Sequence, residues 1–424
     1  MKRSKKIMAA LTVCCLAAFS LSACGSKGVP FESINISEYK WALNYNPEIE
    51  LGRIFPQKDG YTILIREDGT YDAVHHDGIY LGKIRWTNNG LFYVDRHNDY
   101  WMTERGNIKN RHPQMDENLD IVTLNDGTNV PLYNIGGDDA SYRIGLSIST
   151  PQASNYGEIR TKHGSNDVNA ACGTNVYSGY PREIEDEEHQ GIGRERVLDQ
   201  TVSNKTIQQK NIITQDTMPA FTNTSDGAQN APCLSEHEVV FIAQKGFDDT
   251  NKMPSADDPI YPLLQAGPFG RKYMYGIETV DTQESKTDFI PLIDSNGHAW
   301  PMHSGHFAFS DSDKNAMTDD HHLLWVDNNA RLLRTDINSG VTEVINDDFQ
   351  CGTVEDEQQQ CQVYMTTNAL EISMVISDDD SLYNNVKIVT LDKASGKTKK
   401  VVKLEGLDEF LPDKMMTFDI AMKP

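Results

Sequence analysis

Two stretches near the C-terminal end share one plan, and that plan restricts what the chain can fold into. Arg331 to Ile345 and Lys387 to Val401 each read as a strand, a turn of the form Asp-x-x-Ser-Gly, and a second strand. In such a turn the Asp accepts backbone N–H groups and the Gly takes a positive φ. The unit is therefore an antiparallel hairpin, and a lone hairpin is marginal in water. Looser versions occur at Asp68-Gly69, Asn125-Asp126-Gly127 and Asp294-Ser295-Asn296-Gly297, each after a short Val/Ile/Tyr-rich run. The turn glycines Gly69, Gly127, Gly297, Gly340 and Gly396 are spaced 58, 170, 43 and 56 residues apart. The long gap holds three units of about 57 residues, which makes seven in all; six and eight fit almost as well.

Between Tyr61 and Thr103 the same grammar is continuous. Strand candidates at Tyr61 to Arg66, Tyr71 to His76, Lys83 to Trp86, Leu91 to Arg96 and Tyr100 to Thr103 alternate with turn residues such as Asn88-Asn89-Gly90. Few stretches read as helix. The pattern predicts an all-β chain, a β-propeller of about seven blades of antiparallel strands with long loop insertions. Over residues 320–405 the Asp-x-x-Ser-Gly units resemble blades of quinoprotein-like and WD40-like propeller families. A closed ring leaves no open sheet edge, so Lys414 to Met422 is expected to join a blade built from residues 35–66. Residues 151–232 are polar and Gly/Asn/Gln-rich, and 246–268 are Pro-rich and acidic. Both read as insertions in a propeller domain over 35–424, with Pro181 to Arg196 as a short helix or surface loop.

The N-terminus decides where that body works. Lys2-Arg3-Ser4-Lys5-Lys6 followed by the mostly apolar Ile7 to Ser20 has the layout of a secretory signal peptide over 1–23. Leu21-Ser22-Ala23-Cys24 resembles the lipobox of bacterial lipoproteins. The resemblance implies cleavage before Cys24, a diacylglyceryl group on its sulfur and membrane lipid as a partner. Localisation then follows: the cell membrane, lipid-anchored, on the extracytoplasmic face. Residues 24–34 read as the lipidated end and a short tether. Taking the four basic residues of 1–23 off a chain of formal charge −23 leaves −27. A body this acidic excludes nucleic acid as a partner and is repelled by an anionic leaflet.

Four cysteines remain beyond Cys24, an even number that suits disulfides in an exported protein. Of the three pairings, Cys351–Cys361 with Cys172–Cys233 is favoured, because Cys351 and Cys361 bracket a short polar stretch. No Cys spacing fits zinc. Asp311, Asp313 and Asn315 begin like a calcium loop, although Ala316 and His322 stand where that loop needs Gly and Glu. Calcium is thus the one cofactor with a candidate site, and no other is expected. His298, His303, His306, His321 and His322 read as turn residues before metal ligands. Trp86, Trp101 and Trp325 read as core before sugar platforms. There is neither a Gly-x-Ser-x-Gly elbow nor a Walker loop, so no catalytic residue is assigned.

These features predict a lipid-anchored propeller that binds or scaffolds a protein or glycan at the cell surface. The alternatives are a propeller enzyme acting on cell-surface glycans, a quinoprotein-like oxidoreductase, or a transporter-associated substrate-binding lipoprotein. An enzyme needs acids or histidines converging from several blades on one pocket. A transporter receptor needs two α/β lobes.

Overall fold

The structure, a computed structural model, describes residues 28–47, 59–138, 141–162, 168–184, 193–219, 229–247, 253–266, 272–301, 307–308, 316–327, 329–349, 361–378, 386–407, 410 and 416–424. Seven antiparallel sheets follow one another in a ring. Blade 1 is Met416–Met422, Trp41–Pro47, Asp59–Ile65 and Tyr71–Asp77, from the inner strand outward. Blade 2 runs Ile84–Thr87, Gly90–Val94, Asn98–Thr103 and Gly106–Arg111. Blade 3 is Glu117–Thr123, Asn129–Asp138, Ser141–Ser149 and Ser154–Thr161. Blade 4 is Val168–Cys172, Asn175–Ile184, Gly193–Ser203 and Thr206–Gln215. Blade 5 centres on Glu238–Phe247 and Lys272–Asp281, blade 6 on His322–Asp327 and Leu332–Asp336, blade 7 on Glu371–Asp378 and Val386–Asp392. The α/β lobes of a transporter receptor are not this fold.

The packing explains the strand composition. Side chains alternate between the two faces of a strand, and here both faces are buried. Trp41, Leu43 and Tyr45 pack against Val375, Ile388 and Leu404 of blade 7. Between them, Ala42 points the other way, onto Leu91, Tyr93 and Met102 of blade 2. The same arrangement repeats, with one hydrophobic cluster in each of the seven gaps between neighbouring blades. Middle strands therefore read as near-continuous apolar runs, and only the outer strands are polar.

The repeat that announced the fold is used as expected. Gly340 and Gly396 sit at φ +73° and +66° and close turns between third and fourth strands. The Asp392 carboxylate accepts from Ser395 N–H at 3.0 Å, and the Gly396 N–H donates to the Asp392 carbonyl at 2.8 Å. Gly69 occupies the same place in blade 1. Gly127 instead joins the first and second strands of blade 3, and Gly297 lies in the connection after blade 5. The blade count of seven stands, although these glycines are not one repeating position.

Residues 151–232 are not an insertion. They supply the outer strand of blade 3 and the whole of blade 4. Pro181 pairs with Arg196 in an antiparallel hairpin rather than lying in a helix. The misreading has a physical cause: Thr206–Gln215 is an outer strand, so Lys210 meets solvent while Gln208 donates to Gln200, and Gln209 and Asn211 to Asp199, on the neighbouring strand, where alternation would have shown apolar residues. In 246–268 the described part is mostly turn, with a 3-10 turn at Tyr261–Leu263. At the other end, Phe31, Ile34, Ile36 and Tyr39 are buried against blades 1 and 2, so the chain is docked on the body from Val29 onward.

The ring is closed by the chain ends. Trp41 to Pro47 pairs antiparallel with Met416 to Met422, from Trp41↔Met422 to Pro47↔Met416. A disulfide between Cys172 and Cys233, Cα atoms 5.5 Å apart, joins the inner strand of blade 4 to that of blade 5. Its closed loop of 61 residues predicts a loss of about 4 kcal/mol when it is opened. Urea unfolding of Cys172→Ala with Cys233→Ala should show a midpoint well below the parent's, and reduction of the parent should reproduce it. Equal midpoints would refute the staple.

Candidate functional site

A propeller's inner strands converge on its axis, and those of blades 1 to 4 are tied there by buried charged and polar side chains. Arg85 lies on the short inner strand of blade 2. Its Nε–H donates to the Ile121 carbonyl at 2.6 Å, and Nη1 donates to the Ile84 carbonyl and to Asp419 Oδ2, both at 2.8 Å. Nη2 donates to Asp120 Oδ1 at 3.0 Å. Asp419 comes from the closing strand of blade 1, and also accepts from Ile84 N–H at 3.1 Å. Asp120 comes from blade 3, at a register shift between Asn118 and Asp120. Such a bulge re-aims a side chain, and the Asn118 amide braces it by donating to the Asp120 and Leu132 carbonyls.

Blade 4 and the residues after it complete the array. Asn169 Nδ2 donates to Asp120 Oδ2 at 2.9 Å and Asn230 Nδ2 to Asp120 Oδ1 at 3.3 Å. Asn169 Oδ1 in turn accepts from Ser178. The Arg85, Asp120 and Asp419 side chains are 3%, 0% and 7% exposed. Burial pushes the Asp120 carboxyl up, while the Arg85 guanidinium and Lys83 pull it down. Every nitrogen of the guanidinium is bonded, so this array is a strut across four blades.

An open groove lies at the side. A groove of about 480 Å³ between blades 3 and 4 is lined by Arg160, Thr161, Lys162, Asp199, Gln209 and Asn211, among others. Asp199 holds the two amides, accepting from Gln209 Nε2 at 2.8 Å and from Asn211 Nδ2 at 3.2 Å. Its volume suits a small polar ligand or a loop of a partner. Its wall offers two cations, one carboxylate and amides, a set that can hydrogen-bond but lacks an aromatic platform.

A third polar cluster is sealed between blades 1 and 2. His76 Nε2–H donates to Asn44 Oδ1 at 3.1 Å; the tautomer follows from Asn44, whose amide NH2 is spent on the Gly82 and Lys83 carbonyls. The ring packs at 5.2 Å from Tyr93, which stacks on Tyr100 at 4.7 Å. Burial lowers His76 from its ordinary 6.5 to about 4.

The residues singled out in the sequence fall elsewhere. Cys24, Cys351, Asp311, Asp313, Asn315, His303 and His306 lie outside the described residues. Cys361 begins the inner strand of blade 7. His298 sits on an exposed turn and His322 begins a strand of blade 6, each beside the carboxylate of the preceding turn, Asp294 and Asp319. Among the described residues no three His, Cys, Asp or Glu side chains gather to hold a metal. Trp41, Trp101 and Trp325 are fully buried and donate to Ser373, Ser149 and Thr335, so they are core rather than sugar platforms. Trp86 is partly buried against the cluster between blades 1 and 2. The central array had a signal in the sequence: a lone charge inside an apolar strand, at Ile84-Arg85-Trp86, Leu119-Asp120-Ile121 and Phe418-Asp419-Ile420.

No family model matches the chain, and no curated protein matches it. Solved structures do resemble it. An apocarotenoid oxygenase mutant from Synechocystis aligns at 9% identity over 94% of each chain, with a TM-score of 0.49. AztD from Citrobacter koseri aligns at 10% identity over 90% of this chain and 98% of its own, with a TM-score of 0.42. The periplasmic gluconolactonase PpgL of Pseudomonas aeruginosa aligns at 8% identity over 86% and 84%, again with a TM-score of 0.42. Likenesses this distant carry no ligand or activity across.

Arg85→Ala strands two carboxylates in the interior and should cost about 3–5 kcal/mol; adding Asp120→Asn and Asp419→Asn should recover most of it. Urea unfolding of the single and triple variants tests this, and a single variant within ~1 kcal/mol of the parent would remove Arg85 as a strut. For His76 the unfolded chain binds more protons than the folded one between pH 4 and 6.5. Its neutral form therefore contributes fully above pH 6.5, and that contribution, up to about 3 kcal/mol, is lost as pH falls toward 4. His76→Gln should flatten the melting temperature against pH over that window; an unchanged slope assigns it to other groups.

Proposed function

We propose that this chain is a lipid-anchored, extracytoplasmic β-propeller that binds a protein or glycan partner at the cell surface. The observation that carries the reading is the buried polar array that ties blades 1 to 4. Arg85, Asp120, Asp419 and Asn169 satisfy one another where a propeller enzyme would collect reactive groups from several blades. What remains for recognition is the lateral groove between blades 3 and 4, together with the rim of connections between blades. The export signal and the lipobox at Leu21-Ser22-Ala23-Cys24 support the location.

The anchor is tested by fractionation and mass spectrometry. The parent should sediment with membranes and carry diacylglyceryl on an N-terminal Cys24; Cys24→Ala should move the chain to the soluble exported fraction. A parent that is soluble with a free Cys24 thiol ends the anchoring reading.

A further inference from the structure

The chain enters the ring with a direction, and that direction picks out one rim. Val29 N–H donates to the Ala73 carbonyl on the outer strand of blade 1, and a side chain at Gly28 would meet that carbonyl at 2.6 Å. From there the chain runs to Asp72, which accepts from Tyr39 Oη at 2.6 Å, and to Ile65, whose carbonyl accepts from Lys40 N–H at 2.9 Å. Ile65 pairs with Tyr71, so this segment runs opposite to Tyr71–Asp77, and Gly28, beside His75, is its point nearest Asp77. Cys24 to Gly28 span at most about 17 Å, while the Asp77 end is two residues beyond His75, about 7 Å. The Tyr71 end is four residues back, about 13 Å, and reaching it means doubling over. Cys24 can thus stand about 10 Å outside the rim at Asp77 and hardly past the other.

That rim carries the connections between second and third strands. In blade 1 the connection joins Pro47 to Asp59, which pairs with Asp77, and Arg96 N–H of the blade 2 connection donates to the Asp77 carbonyl at 3.4 Å. Blades of a propeller share one sense, so the blade 5 connection between Phe247 and Lys272 lies on the same rim. It holds the 3-10 turn Tyr261–Leu263. The turns at Phe31–Ser33 and Ile36–Glu38 each bury an apolar side chain, Phe31 and Ile36; this one buries none. Ile260, Tyr261, Leu263 and Leu264 are all partly exposed, and Pro259 and Pro262 are exposed. The turn is nonetheless held in place. Lys272 Nζ donates to Tyr261 Oη at 3.3 Å and lies 4.6 Å from its ring, and Gln265 Nε2 donates to the Trp300 carbonyl at 2.7 Å. A contiguous apolar turn, fixed but unburied, is set out for something beyond the ring.

We propose that the ring lies with this rim toward the bilayer that holds Cys24, and that the turn Ile260 to Leu264 dips into the headgroup region. The inference rests on attachment at Cys24. A tyrosine suits that depth, because its body is apolar and its hydroxyl stays wet. A patch this small binds marginally alone; the lipid tether makes its contact intramolecular, so it needs little affinity of its own. Charge does not drive the pose. Asp257 is exposed beside the turn, and the sequence between Ile184 and Gly193, the same connection in blade 4, is acidic, so anionic headgroups oppose it.

The test places a fluorophore on each rim. Leu263→Trp reports on the proposed contact. Leu370→Trp reports on the opposite rim, where Leu370, 73% exposed, stands between the first and second strands of blade 7. The mature chain with Cys351→Ser and Cys361→Ser is coupled through Cys24 to a maleimide phospholipid in phosphatidylcholine vesicles whose acyl chains are brominated. Emission is read against the same chain without the added tryptophan. Interfacial side chains sit roughly 5–10 Å into the headgroup–acyl boundary, so Leu263→Trp should shift to the blue and lose about half its emission. Pro262→Trp, at an exposed position, should repeat this, and Leu370→Trp should be unchanged. Quenching of Leu370→Trp instead, of both rims or of neither overturns the proposal, as does stronger quenching once phosphatidylglycerol is added. Because the coupling is chemical, a Cys24 found bare in cells defeats the anchoring reading without deciding the pose.

Discussion

The ring exists because its last strand is hydrogen-bonded to its first. Met416–Met422 fills the inner place of a blade whose other three strands come from residues 41–77. Without that pairing blade 1 lacks its innermost strand, and the apolar faces of blades 1, 2 and 7 lose a shared neighbour. Ile420 and Met422 pack toward blade 7, while Ala421 packs toward blade 2. The same strand delivers Asp419 to Arg85, and Arg85 delivers itself to Asp120. Backbone closure and the buried charge array are therefore one device. Once the closing strand is seated, the array is satisfied across four blades; while it is absent, Arg85 and Asp120 are an incomplete buried cluster. An incomplete array costs more than none, so the charges penalise partly closed rings and favour the closed one.

The rest of the body follows the same economy of shared faces. Each blade is too small to stand alone, and each buries one face on either neighbour. Blade 4, whose outer strand is polar, is fixed to the next by the Cys172–Cys233 bond. Around it the interior polar groups are tied by side chains, as in the Asn169–Ser178 contact and the Arg196–Glu278 pair between blades 4 and 5. Covalent and polar ties accompany the shared apolar clusters on either side of this blade.

Much of this was legible in the chain because turns and middle strands obey local rules. Asp336 to Gly340 and Asp392 to Gly396 turn as their residues demand, and Lys83 to Thr103 falls into the strands its alternation suggests. Two things were not local. Outer strands such as Thr206–Gln215 bury little, so their composition looks like loop. The partners of Arg85 lie 35 and 334 residues away, and only closure of the ring brings them together. A single charge inside an apolar strand says that a partner must exist, since an unpaired buried charge is untenable; it does not say which. The histidine and aspartate clusters drew attention because they are dense in sequence, yet His298 and His322 are each taken up by the carboxylate of their own turn.

Function on this scaffold is a matter of what the ring leaves uncommitted. Its centre spends the guanidinium and both carboxylates on holding blades, and its gaps spend their tryptophans on Ser and Thr partners. On the circumference, Lys109 and Arg111 are exposed on the outer strand of blade 2, and Lys162 is exposed beside the groove further round. The N-terminal segment docks on blades 1 and 2 and the groove lies between blades 3 and 4, so the two are on different blades. A propeller held by one rim keeps its other rim and its circumference, the groove included, open to a partner.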